Sequence, residues 1–320
     1  MSVGLILTLL SIFLSSTTMI FDLMMITFLI VHVQSLRRAR RHLNRRIGLL
    51  HFTNTYIHLS GILTVLLLMS IRTWYGDLTT TNPTESWHCH FLAYLMSFFA
   101  AGVYGSCCLQ ALFRFWQIVI RNRSFFHQWS FHMFLIVLHW ILISILLLPT
   151  LSHSVYIIHD YFCWIPFDNY RMGGYISLVT VVLPVTFLII LYINIILYVR
   201  SRSRRRQRSK RVRKNLFLFR RILILVIIIC QTSCTGILLW ILSFFDQRLH
   251  PLFYRLLRFL IILCMFICSI GLLIVSPELK RMFRTSRHSH FQTRIPSIPL
   301  ILPINNELFD ETIPIELIST

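Results

Sequence analysis

Few residues of this sequence have the types and the spacing that chemistry needs. His51 and His58 are seven residues apart, so on a helix they would share one face. Together with Asp22 and His139 they could provide the ligands of a metal site that activates water for hydrolysis. No closely spaced set of histidine and acidic residues accompanies them, as such a site would need. We therefore expect no metal, no cofactor and no enzyme activity.

Three arginines are the other candidates, because each lies in or beside a long apolar run. Arg114 is the one charged residue of ALFRFWQIVI (111–120), and Arg255 and Arg258 lie three residues apart near the start of a later run. An arginine at a helix end can extend its head group to the membrane surface. An arginine that faces the interior could instead bind an anionic group. The position of each arginine within its predicted span distinguishes the two interpretations.

The apolar residues come in seven blocks of about 20 residues or more, the length that a helix needs to cross the hydrocarbon of a bilayer. Hydrophobic residues make up 56% of the 320 residues and charged residues 13%. No block alternates with the period of two that barrel strands show, so helices are the expected spanning elements. The blocks are roughly 5–33, 47–71, 90–120, 131–150, 174–199, 216–245 and 252–275.

Basic residues fall at every second connection between the blocks. RRARRHLNRR (37–46) holds six arginines, and RSRSRRRQRSKRVRK (200–214) holds ten Arg or Lys, whereas the alternate connections, such as 72–88, are nearly bare of charge. This positive-inside pattern predicts seven spans with the N-terminus outside and the C-terminus inside. The net charge of +20 therefore indicates topology and contact with membrane lipids, not nucleic-acid binding.

The end of the chain predicts two further segments. SPELKRMF (276–283) has a serine cap, a proline and a glutamate that fit the start of a short amphipathic helix at about 277–286. Residues 287–320 contain four prolines, and we expect a cytoplasmic tail without folded structure. The expected organisation is one membrane domain, 1–286, followed by this tail.

Two of the eight cysteines are placed outside the membrane by this topology. Six lie within spans, whereas Cys89 and Cys163 fall at the outer surface, where disulfides can form. Two cysteines allow a single pairing. That disulfide would tie the top of the third span to the second outer connection.

Seven spans, an outer disulfide and an arginine at the inner end of span 3 together resemble the rhodopsin-like family of G-protein-coupled receptors. Arg114 follows Cys89 by 25 residues, which is the family's distance between the helix-3 cysteine and the arginine of its Asp-Arg-Tyr motif. The resemblance covers roughly residues 10–286. The family's tryptophan and proline of span 4, and its proline and tyrosine of span 5, are matched by Trp140, Pro149, Pro184 and Tyr192.

The departures from the family pattern are substantial. Phe113 replaces the acid before Arg114, Phe115 replaces the tyrosine after it, and Asn54 replaces the family's aspartate of span 2. Span 6 contains no proline, and span 7 lacks the Asn-Pro-x-x-Tyr residues. The chain therefore resembles a divergent, orphan-type member. Without an acid beside Arg114, we expect no ionic latch on the inactive state and high basal signalling.

The resemblance implies a receptor of the plasma membrane that binds a small molecule or peptide and activates a heterotrimeric G protein. Arg114 and Tyr192 would belong to the inner switch, with Phe113 and Phe115 beside it. The residues that would shape helix packing and kinks are Trp140, Pro149, Pro184 and Asn54. The alternatives are a multi-pass transporter or channel and, less favoured, the intramembrane metal-dependent hydrolase.

The resemblance also places the ligand cavity between the outer halves of the spans. Met96 stands where amine receptors carry an aspartate, so an amine held by a salt bridge is not expected. Arg255 and Arg258 could instead hold an anionic ligand, and Trp164, next to the second cysteine, would cover the cavity. Asp22 is an ionisable residue at membrane depth and hence a candidate for function, unless its span begins later in the chain.

Overall fold

Long apolar helices make up most of the computed structural model, which describes residues 3–37, 43–79, 87–119, 128–153, 155–157, 162–164, 169–203 and 250–275. The helices are α1 (Val3–Arg37), α2 (Leu43–Thr79), α3 (Trp87–Val119), α4 (Trp129–Leu147), α5 (Pro149–His153), α6 (Tyr170–Ser177), α7 (Leu183–Ser203) and α8 (His250–Val275). Strands β1 (Val155–Ile157) and β2 (Phe162–Trp164) pair in an antiparallel hairpin between α5 and α6.

Six helices of the described part of the chain are long and apolar enough to cross a membrane. The predicted helical, multi-pass architecture is confirmed to that extent, and α8 is the predicted span 252–275. The predicted span 216–245, the amphipathic helix at 277–286 and the tail lie outside the described residues. The six candidate spans are Val3–Gln34, Arg46–Thr79, Trp87–Val119, Trp129–Ser152, Arg171–Tyr198 and Tyr254–Ile274.

The distribution of polar and apolar side chains is the reverse of that in a water-soluble helical protein. Large apolar side chains such as Phe13 and Phe134 face outward and are more than half exposed. The buried face of α1 instead carries small hydroxyl residues, each bonded to its own helix backbone four residues earlier. Lipid offers no hydrophobic force between helices, so membrane helices associate through small and polar residues. These hydroxyl residues are Thr8, Ser11, Ser15 and Thr18.

The helix α3 lies in the middle of the described helices. It packs against α2, α4 and α7, and its N-terminal end, which is the outer end in the predicted topology, also contacts the β hairpin. Helix α1 packs against α2 and α8, and α2 also contacts α8. Helix α2 is therefore shared by two groups of helices, α1 with α8 and α3 with α4.

Helix geometry changes next to a proline in two of the spans. Before Pro184 the chain forms a π-helical segment, Leu178–Val182, in which the Leu183 N–H donates to the Leu178 carbonyl. A proline ring clashes with the carbonyl four residues before it, and the wider π turn accommodates that clash. Pro149 begins α5 directly after the turn at Leu148, in a position where its missing N–H costs little.

Helix α2 extends beyond its predicted outer end. The sequence placed a loop from residue 72, which is wrong for 72–79, because α2 continues to Thr79. Two charged residues, Arg72 and Asp77, lie in this extension. In the structure both side chains contact other protein elements, namely Cys163 and Arg255, so the helix continues with its charged groups bonded.

Candidate functional site

A disulfide marks the outer end of α3. Cys89 lies in the first turn of α3, and Cys163 lies on β2 opposite Tyr156 of β1. The two cysteines are joined with their Cα atoms 5.1 Å apart, so the predicted pair is present at disulfide distance. Arg72 of α2 adds a third element, since its Nη1 lies 3.6 Å from the Cys163 sulfur. The outer ends of α2, α3 and the hairpin are thus held together.

Arg255, one of the two arginines predicted to meet a ligand, forms an ion pair within the protein. Its two terminal nitrogens donate to the two carboxylate oxygens of Asp77 at 2.8 and 2.7 Å. The side chains are only 10% and 20% exposed. A bidentate pair of this kind fixes both groups and neutralises both charges. The charge of Arg255 is therefore already balanced by α2.

Arg258 lies deeper between the same helices. It is 1% exposed, and its guanidinium donates to Thr73 of α2 at 2.6 Å and to Thr8 of α1 at 3.4 Å. The interpretation that this arginine extends to the membrane surface is therefore wrong. Its position joins α1, α2 and α8 at their outer ends. The remaining residues predicted for the ligand cavity are Met96, buried on α3, and Trp164, which follows Cys163 on β2.

Arg114 lies near the inner end of α3 and is half-buried. Its Nη1 donates to the side-chain oxygen of Gln117, one turn further along, at 3.1 Å. Its guanidinium carbon also lies 5.6 Å from the centre of the Phe113 ring. These contacts of Arg114 are with an uncharged amide and an aromatic ring. Phe115, which follows it, is also half-buried.

Phe113 packs into a group of rings that joins α3 to its neighbours. Its ring lies 5.5 Å from that of His51 on α2 and 5.1 Å from that of His132 on α4. The two histidines are also within hydrogen-bond distance of each other, with 3.1 Å between ring nitrogens. Phe113 therefore helps to pack three helices. The sequence prediction did not include His132, although a histidine within the apolar span 131–150 indicates a polar contact inside the protein.

Tyr192, the other predicted switch residue, is buried on α7. It lies near the thiols of Cys107 and Cys108 on α3. Cys107 is seven residues before Arg114, which is about 10 Å along a helix. In this structure the tyrosine therefore faces α3 roughly two turns outward of the arginine.

Asn54 and Trp140 bond at the centre of the α2–α3–α4 interface. The Asn54 amide nitrogen donates to the Ser106 hydroxyl at 2.8 Å, and the Trp140 indole N–H donates to the Asn54 amide oxygen at 2.9 Å. One side chain of α2 thus bonds to both α3 and α4. These two hydrogen bonds join the three helices at this point.

Two glycines of α3 leave space for histidine rings from the neighbouring helices. A Cβ atom added at Gly102 would overlap the His58 ring, and one added at Gly105 would overlap the His139 ring. The two rings lie edge to face with centroids 5.6 Å apart. His51 is bonded elsewhere, to α4. Among the residues that the structure describes, no group of three His, Cys, Asp or Glu is placed to hold a metal ion.

Asp22 lies near the middle of α1 and is completely buried. It is next to Ser269 of α8 and near Tyr56 of α2, whose hydroxyl donates to the Ser269 backbone carbonyl at 3.0 Å. The Asp22 carboxyl group and the Ser269 side chain interact, and both are buried. A position near the outer end of the span, which the sequence left open, is therefore wrong.

The described residues have the architecture of a helical, multi-pass membrane protein with a tethered central helix. Comparison of the chain with protein-family models and with curated proteins finds no match. Any function must therefore be argued from the residues themselves.

Proposed function

We propose that the chain is a divergent receptor of the rhodopsin-like class, which acts at the plasma membrane and activates a heterotrimeric G protein when a ligand binds outside. The observation that carries the proposal is the arrangement of α3. The disulfide of Cys89 ties its outer end, and Arg114 lies near its inner end. Both features belong to one helix that packs against α2, α4 and α7.

The length of α3 supports communication across the membrane. The 25 residues from Cys89 to Arg114 span about 37 Å as a helix, which exceeds the roughly 30 Å of bilayer hydrocarbon. The helix therefore reaches both membrane surfaces. A ligand that favours one of two helix packings at the outer end would change the surface around Arg114 at the inner end.

Two residues beside Arg114 bear on the proposed inner switch. A hydrogen bond from arginine to an amide such as that of Gln117 is weaker than a bond to a carboxylate. The phenylalanine at 113 packs between helices and supplies no negative charge. Because the sequence carries no acid directly beside Arg114, high basal signalling remains our prediction.

The outer arginines support a ligand with an anionic group. Arg255 is already neutralised by Asp77. Arg258 falls where members of the family that the chain resembles often touch their ligand, so it is the residue that we expect to attract such a group. Met96 provides no acid for an amine. Loss of the response to an identified carboxylate or phosphate ligand in Arg258→Ala would support this choice, and an unchanged response would contradict it.

The decisive experiment measures basal G-protein activation in transfected cells with several G-protein readouts. Wild type is expected to exceed empty vector, and Arg114→Ala is expected to return the signal to the vector level. Arg46→Ala is the matched control, because Arg46 also lies at the inner end but stacks on Trp129 of α4. Surface expression of all three proteins must be equal.

The same cells separate the proposal from the transporter or channel alternative. Solute or ion flux that is independent of G proteins, together with no G-protein signal above vector, would refute receptor function. An equal loss of signal in Arg46→Ala and Arg114→Ala would also contradict the role given to Arg114.

A further inference from the structure

We propose that four histidines between α2 and α4 form a pH-sensitive joint, which is closed while their imidazole rings are neutral and opens when the rings take up protons. The inner pair is His51 of α2 with His132 of α4, and the outer pair is His58 of α2 with His139 of α4. Thermal unfolding without a G protein tests the joint, so this proposal and the receptor function can fail independently.

The register of the two helices brings histidines together at two levels. His51 and His58 are seven residues apart, and so are His132 and His139, which is about 10 Å along a helix in either case. The ring centroids are 5.1 Å apart in the inner pair and 5.6 Å apart in the outer pair, with the rings nearly perpendicular in both. The contact between α2 and α4 is therefore made by titratable rings on both sides.

The hydrogen bonding of the two pairs is that of neutral rings. In the inner pair Nε2 of His51 and Nδ1 of His132 are 3.1 Å apart, so one ring donates and the other accepts. An imidazole accepts only through a nitrogen that carries no proton, so two protonated rings cannot form this bond. In the outer pair all four ring nitrogens are buried, and none has a hydrogen-bond partner within the described residues.

The outer pair lies in apolar surroundings. The His58 ring packs against the Trp140 ring with centroids 4.6 Å apart, and against the Phe98 ring of α3 at 6.1 Å. A Cβ atom added at Gly102 would overlap the His58 ring, so this ring lies directly against the α3 backbone. A charged ring would have no room for water there, and burial of a charge without a partner is very costly.

The acids of the described residues are not placed to balance a charged ring. There are two, Asp22 of α1 and Asp77 of α2. Asp77 is paired with Arg255 and lies 19 residues from His58, about 28 Å along the helix. Asp22 lies near Tyr56, and two residues along a helix place Tyr56 and His58 on nearly opposite faces.

The remaining charged or titratable side chains near the joint offer no negative charge either. Arg114 of α3 lies near His51 and is itself positive, as is Arg46 at the inner end of α2. The thiols of Cys107 and Cys108 on α3 carry no charge when they are protonated. A proton on the joint is therefore repelled by its surroundings in the described part of the chain and is accommodated only when the rings separate and become hydrated.

Acid should thus open the joint, because the open form binds protons that the closed form excludes. Histidine in water takes up a proton near pH 6.5. The closed joint therefore has its full stability above about pH 6.5 and loses stability as the pH falls below that value. The opening would also affect the inner end of α3, because the Phe113 ring packs against both rings of the inner pair.

The experiment is thermal unfolding of the purified full-length protein in lipid nanodiscs at constant ionic strength, from about pH 7.5 to about pH 5. Because the outer pair excludes two protons, the midpoint of wild type should fall by about 5 °C between pH 6 and pH 5. The double variant His58→Phe with His139→Phe keeps aromatic rings that cannot be charged, and it should lose most of this fall. His88→Gln, the matched control, removes an exposed histidine of α3 and should keep the full fall.

A second double variant, His58→Gln with His139→Gln, keeps the test informative if the phenylalanine variant fails to fold, because its amides are also uncharged in acid. A wild-type midpoint that is constant or rises from pH 6 to pH 5 overturns the proposal without any variant. An equal fall in wild type and in a folded double variant overturns it too, because other groups such as Asp22 would then cause the response. Loss of the fall in His88→Gln would likewise place the response outside the joint and overturn the proposal.

Discussion

The ion pair between Asp77 and Arg255 offers a quantitative test of how the outer end is held together. Two opposite charges about 4 Å apart attract by roughly 4 kcal/mol at the effective dielectric constant of partly buried sites. Exposed pairs contribute about 0–1 kcal/mol, and breaking a fully buried pair costs about 3–5 kcal/mol. With exposures of 10% and 20% and two hydrogen bonds, this pair lies nearer the buried limit. We therefore expect Asp77→Asn or Arg255→Met to cost about 2–4 kcal/mol.

The double variant Asp77→Leu with Arg255→Met is expected to behave differently. It leaves no unpaired charge, and replacement of a whole buried pair by apolar residues is often neutral. In a protein of this size one kcal/mol corresponds to roughly 2 °C in unfolding midpoint. Each single variant should thus lower the midpoint by about 4–8 °C, and the double variant by less than about 2 °C. Thermal unfolding in a detergent or lipid nanodisc at constant salt measures all three.

The additivity of these variants decides whether the reasoning is correct. If the double variant loses as much as the two single variants together, the side chains do not interact, and the bonded geometry does not explain the extension of α2 to Thr79. If neither single variant changes the midpoint, the pair behaves as an exposed surface pair. Either result would refute the argument from burial.

The remaining predictions concern the disulfide and two glycines, Gly102 of α3 and Gly174 of α6. Cys163→Ser should lower the free energy of unfolding by about 2–5 kcal/mol. The double variant with Cys89→Ser should cost no more, because either change removes the same cross-link over 74 residues. Thermal unfolding under non-reducing conditions measures both, and additive losses would contradict the prediction. Gly102→Ala should cost about 1–3 kcal/mol, because its Cβ would overlap the His58 ring. Gly174→Ala, which has open space around it, should instead stabilise by about 0.5–1 kcal/mol, and equal effects of the two alanines would refute the packing.

The spans could be predicted from the sequence because lipid imposes one simple requirement, a long apolar helix. That requirement is met within each candidate span whatever its neighbours are, so blocks such as 90–120 appear in the structure with small changes at their ends. The disulfide between Cys89 and Cys163 could also be predicted from the sequence, because the predicted topology placed only these two cysteines outside the membrane and two cysteines allow one pairing. The prediction of the spans depends on local composition, and the prediction of the disulfide depends on the number of cysteines outside the membrane.

Contacts between helices could not be predicted in this way. The continuation of α2 through Asp77 depends on an arginine 178 residues later, and no window of sequence contains both. The packing of His58 against Gly102 could not be predicted for the same reason, because it joins two different helices. A glycine in an apolar span does not indicate which side chain of a neighbouring helix will pack against it. The sequence did contain one such signal that was not used: hydroxyl residues at spacings of three and four lead along α1 to Asp22.

Helix α2 connects the two groups of polar contacts on which the proposals rest. On one side Asp77, Thr73 and Tyr56 bond to α8, and on the other Asn54 and His51 bond to α3 and α4. Tyr56 and Asn54 are two residues apart, which on a helix places them on nearly opposite faces. A shift of α8 at its outer end must therefore move α2, and α2 cannot move without breaking its bonds to α3 and α4. Under the proposed receptor function, this chain of bonded contacts is the route by which a ligand among the outer arginines would affect Arg114, because Arg114 is carried by α3.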